Sequence, residues 1–464
     1  MNDQMRRLKM TKPKSPLSDI DSAIKKASFR LIPLLFLMYT LSYLDRVNVG
    51  FAASDMQSSL GLTTAAFGLG SGLFFIGYCL FEFPSNLMMH RFGARLWLSR
   101  IMITWGIIAG ATAAVQGETT FYAIRILLGV AEAGLLPGVI LYLTLWFPEN
   151  VRGRIMARFF LAMPVAMAFG APLSSWMITA GDGIFGLSGW QFMFLAQGVP
   201  TVALGIYVLL RLPNRPEDAR WLSAAEKRAI ADTLARDAAT STIRAKHSLR
   251  GALGDIRLYL IAGVLFSATF GIYAFSFFMP QVVKQLGGAG AGSSHLQIGF
   301  VSAIPFAVAI FCTWALGNHS DRTGERFVHA GSALALSCVG VIVAGVSHSP
   351  FITLLALTVV ISGSIAAIPL LWSIPKTFLN GVAAAAGIGI IGAIANFSGF
   401  AAPTITGVLR QNSGSFQSSL ILIAAVIGIG CLMLAGLRLL LPRGNDTSPR
   451  ITKTHASVAT SPDL

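Results

Sequence analysis

Five charged side chains lie deepest in the long apolar stretches of this chain: Asp45, Arg46, Glu82, Arg125 and Glu132. A charge at the centre of a bilayer costs at least about 2.5–3.5 kcal/mol on insertion scales, so each needs a partner or a task. Arg46 is the leading candidate for binding an anion, because its planar guanidinium is permanently charged and grips a carboxylate with two hydrogen bonds. Tyr43 lies one helical turn earlier and shares its face. The competing reading of Arg46 is an ion pair that only holds helices together. Asp45 and Glu132 are the candidate proton carriers, since a carboxyl withdrawn from water can take up and release a proton under mild conditions. Arg125 precedes Glu132 by two turns on the same helix face and could pair with whichever carboxylate is ionised. Protonating one carboxylate would then free arginine charge for an anion. Glu82, beside Pro84 near the end of its stretch, reads as structural or gating.

The elements that must position these groups are membrane spans. Hydrophobic residues make up 54% of the 464 and charged residues 12%, about half the charged share of a soluble domain. Mean hydropathy is +0.67. Apolar stretches long enough to cross a bilayer as helices fall at 31–53, 66–89, 97–115, 121–145, 156–180, 190–211, 256–281, 297–317, 327–347, 350–375, 383–409 and 415–441. This predicts an all-α membrane protein of twelve transmembrane helices in two six-helix halves. The expected organisation is a cytoplasmic tail (1–30), a first half (31–211), a linker (212–255), a second half (256–441) and a cytoplasmic tail (442–464). Basic residues cluster in the tail, the linker and every second loop, including Arg91, Arg95, Arg152, Arg154, Arg158, Arg322 and Arg326. The positive-inside rule therefore puts both termini in the cytoplasm and the chain in a cell inner membrane. The first apolar stretch is of full transmembrane length, so a cleavable signal peptide is not expected.

Several function classes have no support. The net charge of +15 is explained by those loop clusters, not by a nucleic-acid partner. Cys79, Cys312, Cys338 and Cys431 are scattered through apolar stretches and suggest neither disulfides nor a metal site. A nucleotide-binding GxxxxGK[ST] loop is absent, as are GxSxG and HExxH. The series Gly387, Gly389, Gly392 spells GxGxxG but lies within an apolar span, where close helix packing by small residues is the better reading. Gly68, Gly70 and Gly72 read the same way. No enzyme, cofactor or metal is expected.

An internal repeat fixes the architecture. NLMMHRFGAR (Asn86–Arg95) returns as GNHSDRTGER (Gly317–Arg326), so Arg91, Gly93 and Arg95 align with Arg322, Gly324 and Arg326 half a chain later. The second copy resembles the loop motif of the major facilitator superfamily. YLDRVNVGFA (Tyr43–Ala52), EFPSN followed by RFGAR, RILLGVAEAGLLPG (Arg125–Gly138) and WSIPKTF…AAAAGIGIIGAIANFSGFAAP (Trp372–Pro403) resemble the anion:cation symporter family within it. That resemblance implies a secondary active transporter with its substrate site between the halves, working by alternating access. It implies import of a small organic anion, such as a sugar acid, a tartrate-like acid or an aromatic acid, by proton symport. An anion exchanger or a drug or metabolite exporter of the same fold is the alternative. It further implies that Arg46, Tyr43, Tyr78, Trp372 and Asn396 line the substrate cavity. Asp45, Glu132 and Arg125 couple protons, and Asp321, Arg322, Arg326, Arg91 and Arg95 gate the cytoplasmic side. The first repeat carries His90 where the superfamily motif has aspartate, which leaves Asp321 as the expected charge latch. A monomer in the lipid bilayer is expected.

Overall fold

The structure, a computed structural model, describes residues 16–243, 254–286, 294–375, 378 and 381–441. The expected tail at 442–464, the basic residues before Pro16 and part of the 372–403 block lie outside the described residues. Among those described there is no strand, and twelve helical segments are long and apolar enough to cross a membrane.

The first half contains α1 (Pro16–Leu60), α2 (Thr64–Phe92), α3 (Ala94–Ala111), α4 (Glu118–Glu132), α5 (Leu135–Trp146), α6 (Glu149–Phe160), α7 (Ala162–Gly181) and α8 (Gly189–Arg211). The linker holds α9 (Ala224–Ile243). The second half contains α10 (Ile256–Leu286), α11 (His295–Thr323), α12 (Phe327–Val346), α13 (Pro350–Leu371), α14 (Gly381–Ser413) and α15 (Gln417–Leu440). Helix starts follow their caps. Thr63 accepts from the Ala66 N–H, and Ser294 and Gln297 form a reciprocal capping box at the head of α11.

Two expected spans are each broken into two helices. The fourth breaks after Glu132, where Gly134 takes the left-handed conformation (φ 89°) that costs glycine least. Pro137 then sits in the first turn of α5, where its missing N–H is not needed. The Ser85 hydroxyl donates to the freed Ala133 carbonyl (2.7 Å) and accepts from the Trp97 indole (2.9 Å). Irregular backbone at membrane depth is thus satisfied by side chains. The fifth breaks at Leu161, because Pro164 has no N–H to donate to the Phe160 carbonyl. Arg152, Arg154 and Arg158 consequently ride on helix α6, not in a loop.

Helix α1 also begins well before the apolar stretch at 31. Its early turns are held by the linker, with Ala23, Ala27 and Ile230 fully buried between them. Lys26 (2.7 Å) and Ser22 (2.7 Å) both bind the Glu226 carboxylate. Burial works against that charge. The hydrogen bonds from Lys26, the Ser223 N–H and Ser22 outweigh it and hold the Glu226 carboxyl down at about 2. Trp221 stacks on Trp146 and lies under Arg30. The segment expected to be a tail is therefore partly a docked helix.

The halves meet along α2–α14, α7–α11 and α1–α10. Glycine makes these approaches possible. A Cβ on Gly68 would run into Pro403 and Gly407, one on Gly72 into Phe400 and Thr404, and one on Gly50 into the Phe277 carbonyl. At Gly299 it would meet Ser175 and Ala171. The close packing expected at Gly68 and Gly72 is present, while Gly70 makes room for the Phe121 ring. Gly389 departs from expectation, with open space where a Cβ would go. All these inter-half contacts lie at the end of the bundle opposite the linker, here called the far end. Gly389 sits toward the linker end, where no hydrogen bond or ion pair joins the halves among the described residues.

Candidate functional site

The buried charges converge in the middle of the first half. Because α4 ends at Glu132, that carboxylate can turn toward α1. Its Oε1 accepts from Ser42 Oγ (2.5 Å) and Arg46 Nε (2.8 Å) and lies 2.7 Å from Arg46 Nη2 in an ion pair. Ser42 and Arg46 are one turn apart on α1, so a single helix face supplies all three contacts. Glu132 is fully buried, and its Oε2 has no hydrogen-bond partner among the described residues. Arg46 is 5% exposed and enclosed by aromatic rings: Tyr78 at 4.8 Å, Tyr43 at 5.2 Å and Phe74 at 5.4 Å from its guanidinium carbon. Ring faces attract a cation without competing for its donors. The second half contributes Tyr273, which faces Arg46 and Tyr43.

Asp45 is the neighbour of Arg46 in sequence but points elsewhere, since adjacent helical residues diverge by about 100°. Its Oδ2 accepts from the Trp105 indole (2.6 Å) and its Oδ1 from Asn48 (3.1 Å). Asn48 also donates to Gln197 (2.7 Å), and Gln197 to Ser174 (3.0 Å). This chain of buried polar groups ties α3, α1, α8 and α7 together. Arg125, 1% exposed, forms no ion pair with either carboxylate among the described residues. Seven residues along a helix span about 10.5 Å, too far for the expected pairing with Glu132. Its guanidinium lies over Phe74 (5.1 Å), makes one long contact to the Ser71 carbonyl (3.5 Å) and leaves Nε without a partner. Two acids and two bases thus share one buried compartment. Adding a single proton would leave it one positive charge in excess.

The other candidates are placed less tightly. Tyr43 and Tyr78 join Arg46 as expected. Trp372 caps the linker end of α13 and packs into the apolar cluster of the second half beside Gly392. Asn396 lies on α14, half-buried, one turn from Gly399, which backs onto Phe75. Among the described residues neither has a contact with Arg46. At the linker end, Asp321 lies 3.9 Å from Arg326 of its own loop, and Arg322 is exposed. Arg91 lies over Phe92, and the Arg95 N–H donates to Asn214 of the linker. None of these five crosses to the other half among the described residues. Glu82 is half-buried; among the described residues it forms no hydrogen bond or ion pair, but it is near enough to Arg46 and Tyr78 to interact with them electrostatically. The sequence reading missed Ser42, Asn48, Trp105, Gln197, Ser174 and Tyr273. Ser42 and Asn48 were legible as the i−4 and i+3 neighbours of the two charges, and Gln197 as an amide stranded in an apolar span.

The profile of the Major Facilitator Superfamily matches residues 35–388. The chain belongs to this superfamily. It is accordingly a membrane transporter and not an enzyme. An Agrobacterium vitis superfamily protein named for tartrate transport is 43% identical over 419 residues, covering 90% of this chain and 95% of its own length. A quinolone resistance transporter of Acinetobacter baumannii is 38% identical over 410 residues, covering 88% and 93%. Among solved structures, an inward-facing bacterial homolog of the human lysosomal transporter Spinster superposes with a TM-score of 0.70 at 16% identity. It covers 89% of this chain and 97% of its own. That likeness carries the superfamily fold.

Proposed function

We propose that this transporter imports a small organic anion together with a proton, as a member of the anion:cation symporter group. The observation that carries the reading is the Arg46–Glu132 pair. A permanently charged, carboxylate-gripping side chain is held in reserve by a group that a proton can neutralise. With Glu132 protonated, Arg46 is free to take the carboxylate of the substrate, and the aromatic rings around it cover the ligand's apolar face. When the proton leaves, Glu132 recaptures Arg46 and displaces the anion. Asp45, held by Trp105 and Asn48, is the second proton site, and Arg125 balances it. The basic loops place the linker end in the cytoplasm of a cell inner membrane. Contact between the halves at the far end, with no hydrogen bond or ion pair between them at the linker end among the described residues, fits a carrier open toward the linker. Alternation would follow from the two halves rocking about the site, with Asp321, Arg322, Arg326, Arg91 and Arg95 meeting when the linker end closes. The carrier acts as a monomer. The tartrate-named relative favours a carboxylate substrate. The relative named for quinolone resistance favours a second reading, export of a drug-like solute.

The deciding experiment is thermal stabilisation of the purified protein near pH 6 by a panel of mono- and dicarboxylates, beside Arg46→Ala. A ligand that binds only the folded state raises its melting temperature. Stabilisation by one acid class, lost in Arg46→Ala, is expected. Stabilisation by neutral or cationic solutes only would replace import with the export reading.

A further inference from the structure

We propose that Asp55 and His295 form a proton-sensitive clasp between the two halves at the far end, which holds the transporter open toward the linker. Asp55 lies near the end of α1 and His295 opens α11, so the contact joins one half to the other. His295 Nε2 stands 3.7 Å from Asp55 Oδ2. The two side chains are 42% and 32% exposed, so they equilibrate with the solution on that side, whereas Asp45 and Glu132 are sealed inside.

The surrounding charges are sorted by half. Asp55 faces His295 and Lys284 across the interface and Asp182 on its own side. Both acids belong to the first half and both bases to the second. Asp182 is already engaged, accepting from the Gly189 N–H (3.0 Å). Opening the far end therefore separates opposite charges. The glycine contacts near by, Gly299 on Ser175 and Gly50 on Phe277, supply shape but no dependence on pH.

Histidine is the side chain whose charge changes between about pH 5 and 8. An imidazolium at this position adds to the attraction that Lys284 exerts on the Asp55 carboxylate and stabilises the closed far end, whereas a neutral ring adds nothing. A lysine in this place would hold at every working pH, whereas histidine releases. The clasp is separate from the Arg46 site. Only the statement that it senses the outer solution rests on the orientation proposed above.

The test uses the full chain in lipid nanodiscs. Spin labels are attached at Ser59 and Ser413, which are exposed at the far ends of α1 and α14, with Cys79, Cys312, Cys338 and Cys431 replaced. Inter-label distances are measured from pH 5.5 to 8. The population with the far end open is expected to rise about two- to fivefold across that range, the yield of one partly exposed pair. His295→Gln should abolish the rise. Exchanging the partners, Asp55→His with His295→Asp, should restore it, and a background of Asp45→Asn with Glu132→Gln should retain it. A pH response that survives in His295→Gln, that vanishes with the buried carboxyls, or that the exchange fails to restore overturns the clasp.

Discussion

Replacing Glu132 by glutamine removes the charge from its pair with Arg46 and keeps the shape. In the parent protein Glu132 Oε1 accepts hydrogen bonds from Ser42 and from Arg46 Nε (2.8 Å) and stands 2.7 Å from Arg46 Nη2 in an ion pair. Breaking a buried ion pair by taking one partner away costs about 3–5 kcal/mol. An incoming anion must meet that cost whenever Glu132 is ionised. At 1.36 kcal/mol per factor of ten, even the lower bound is roughly a hundredfold in affinity. The amide keeps weaker, neutral hydrogen bonds to Ser42 and Arg46, so the lower bound is the appropriate figure.

Glu132→Gln should therefore bind the substrate anion about a hundredfold more tightly than the parent at pH 8. Glutamine has no proton to take up at this position, so affinity should depend less on pH in the variant than in the parent. Isothermal titration in detergent from pH 5 to 8 reads this directly. In proteoliposomes the variant should exchange internal for external substrate yet fail to accumulate it under a pH gradient. Weak binding by the variant at pH 8, or accumulation driven by a pH gradient, would refute the switch and return the pair to a purely structural role.

Three further outcomes follow from the same geometry. Asp45→Asn should abolish accumulation driven by a pH gradient while preserving exchange, and it should lower substrate affinity far less than Arg46→Ala; paired transport and binding assays compare them. Gly134→Ala forces a side chain into a left-handed position and against Ser85. It should cost about 1–3 kcal/mol and appear as a lower melting temperature with the same substrate preference. The Glu226 carboxyl is held down at about 2 by Lys26, Ser223 and Ser22, below its ordinary value of about 4.3. Its contribution is therefore complete above pH 4.3 and disappears as pH falls toward 2. Hydrogen exchange in α9 and the first turns of α1 should be slow from pH 5 to 8, and faster in Glu226→Gln across that whole range.

Much of the protein was legible in its sequence because the bilayer imposes simple rules. Apolar length set the twelve spans, and the repeated loop motif set the two halves. The cost of intramembrane charge singled out Asp45, Arg46, Arg125 and Glu132 without any coordinates. Tyr43 followed from helical spacing, and Tyr78 from its place in a family motif. These inferences use one chain segment at a time, and the solvent that tests them is uniform.

What only the tertiary structure decided is which of those groups touch. Arg125 was expected beside Glu132 because they share a helix face, yet Arg46 holds Glu132, brought there from another helix. The break at Gly134 lets α4 end at the glutamate. Asp45 is held by Trp105 of α3 and by Asn48 of its own helix, and Asn48 in turn by Gln197 of α8. The loop charges at the linker end find partners in their own half or in the linker among the described residues. The docked linker helix and the far-end pair of Asp55 and His295 likewise depend on contacts between distant segments. Sequence spacing fixes the direction in which a side chain leaves its own helix. The distance to a partner on another helix is fixed by how the helices pack, and the buried charges respond to that distance.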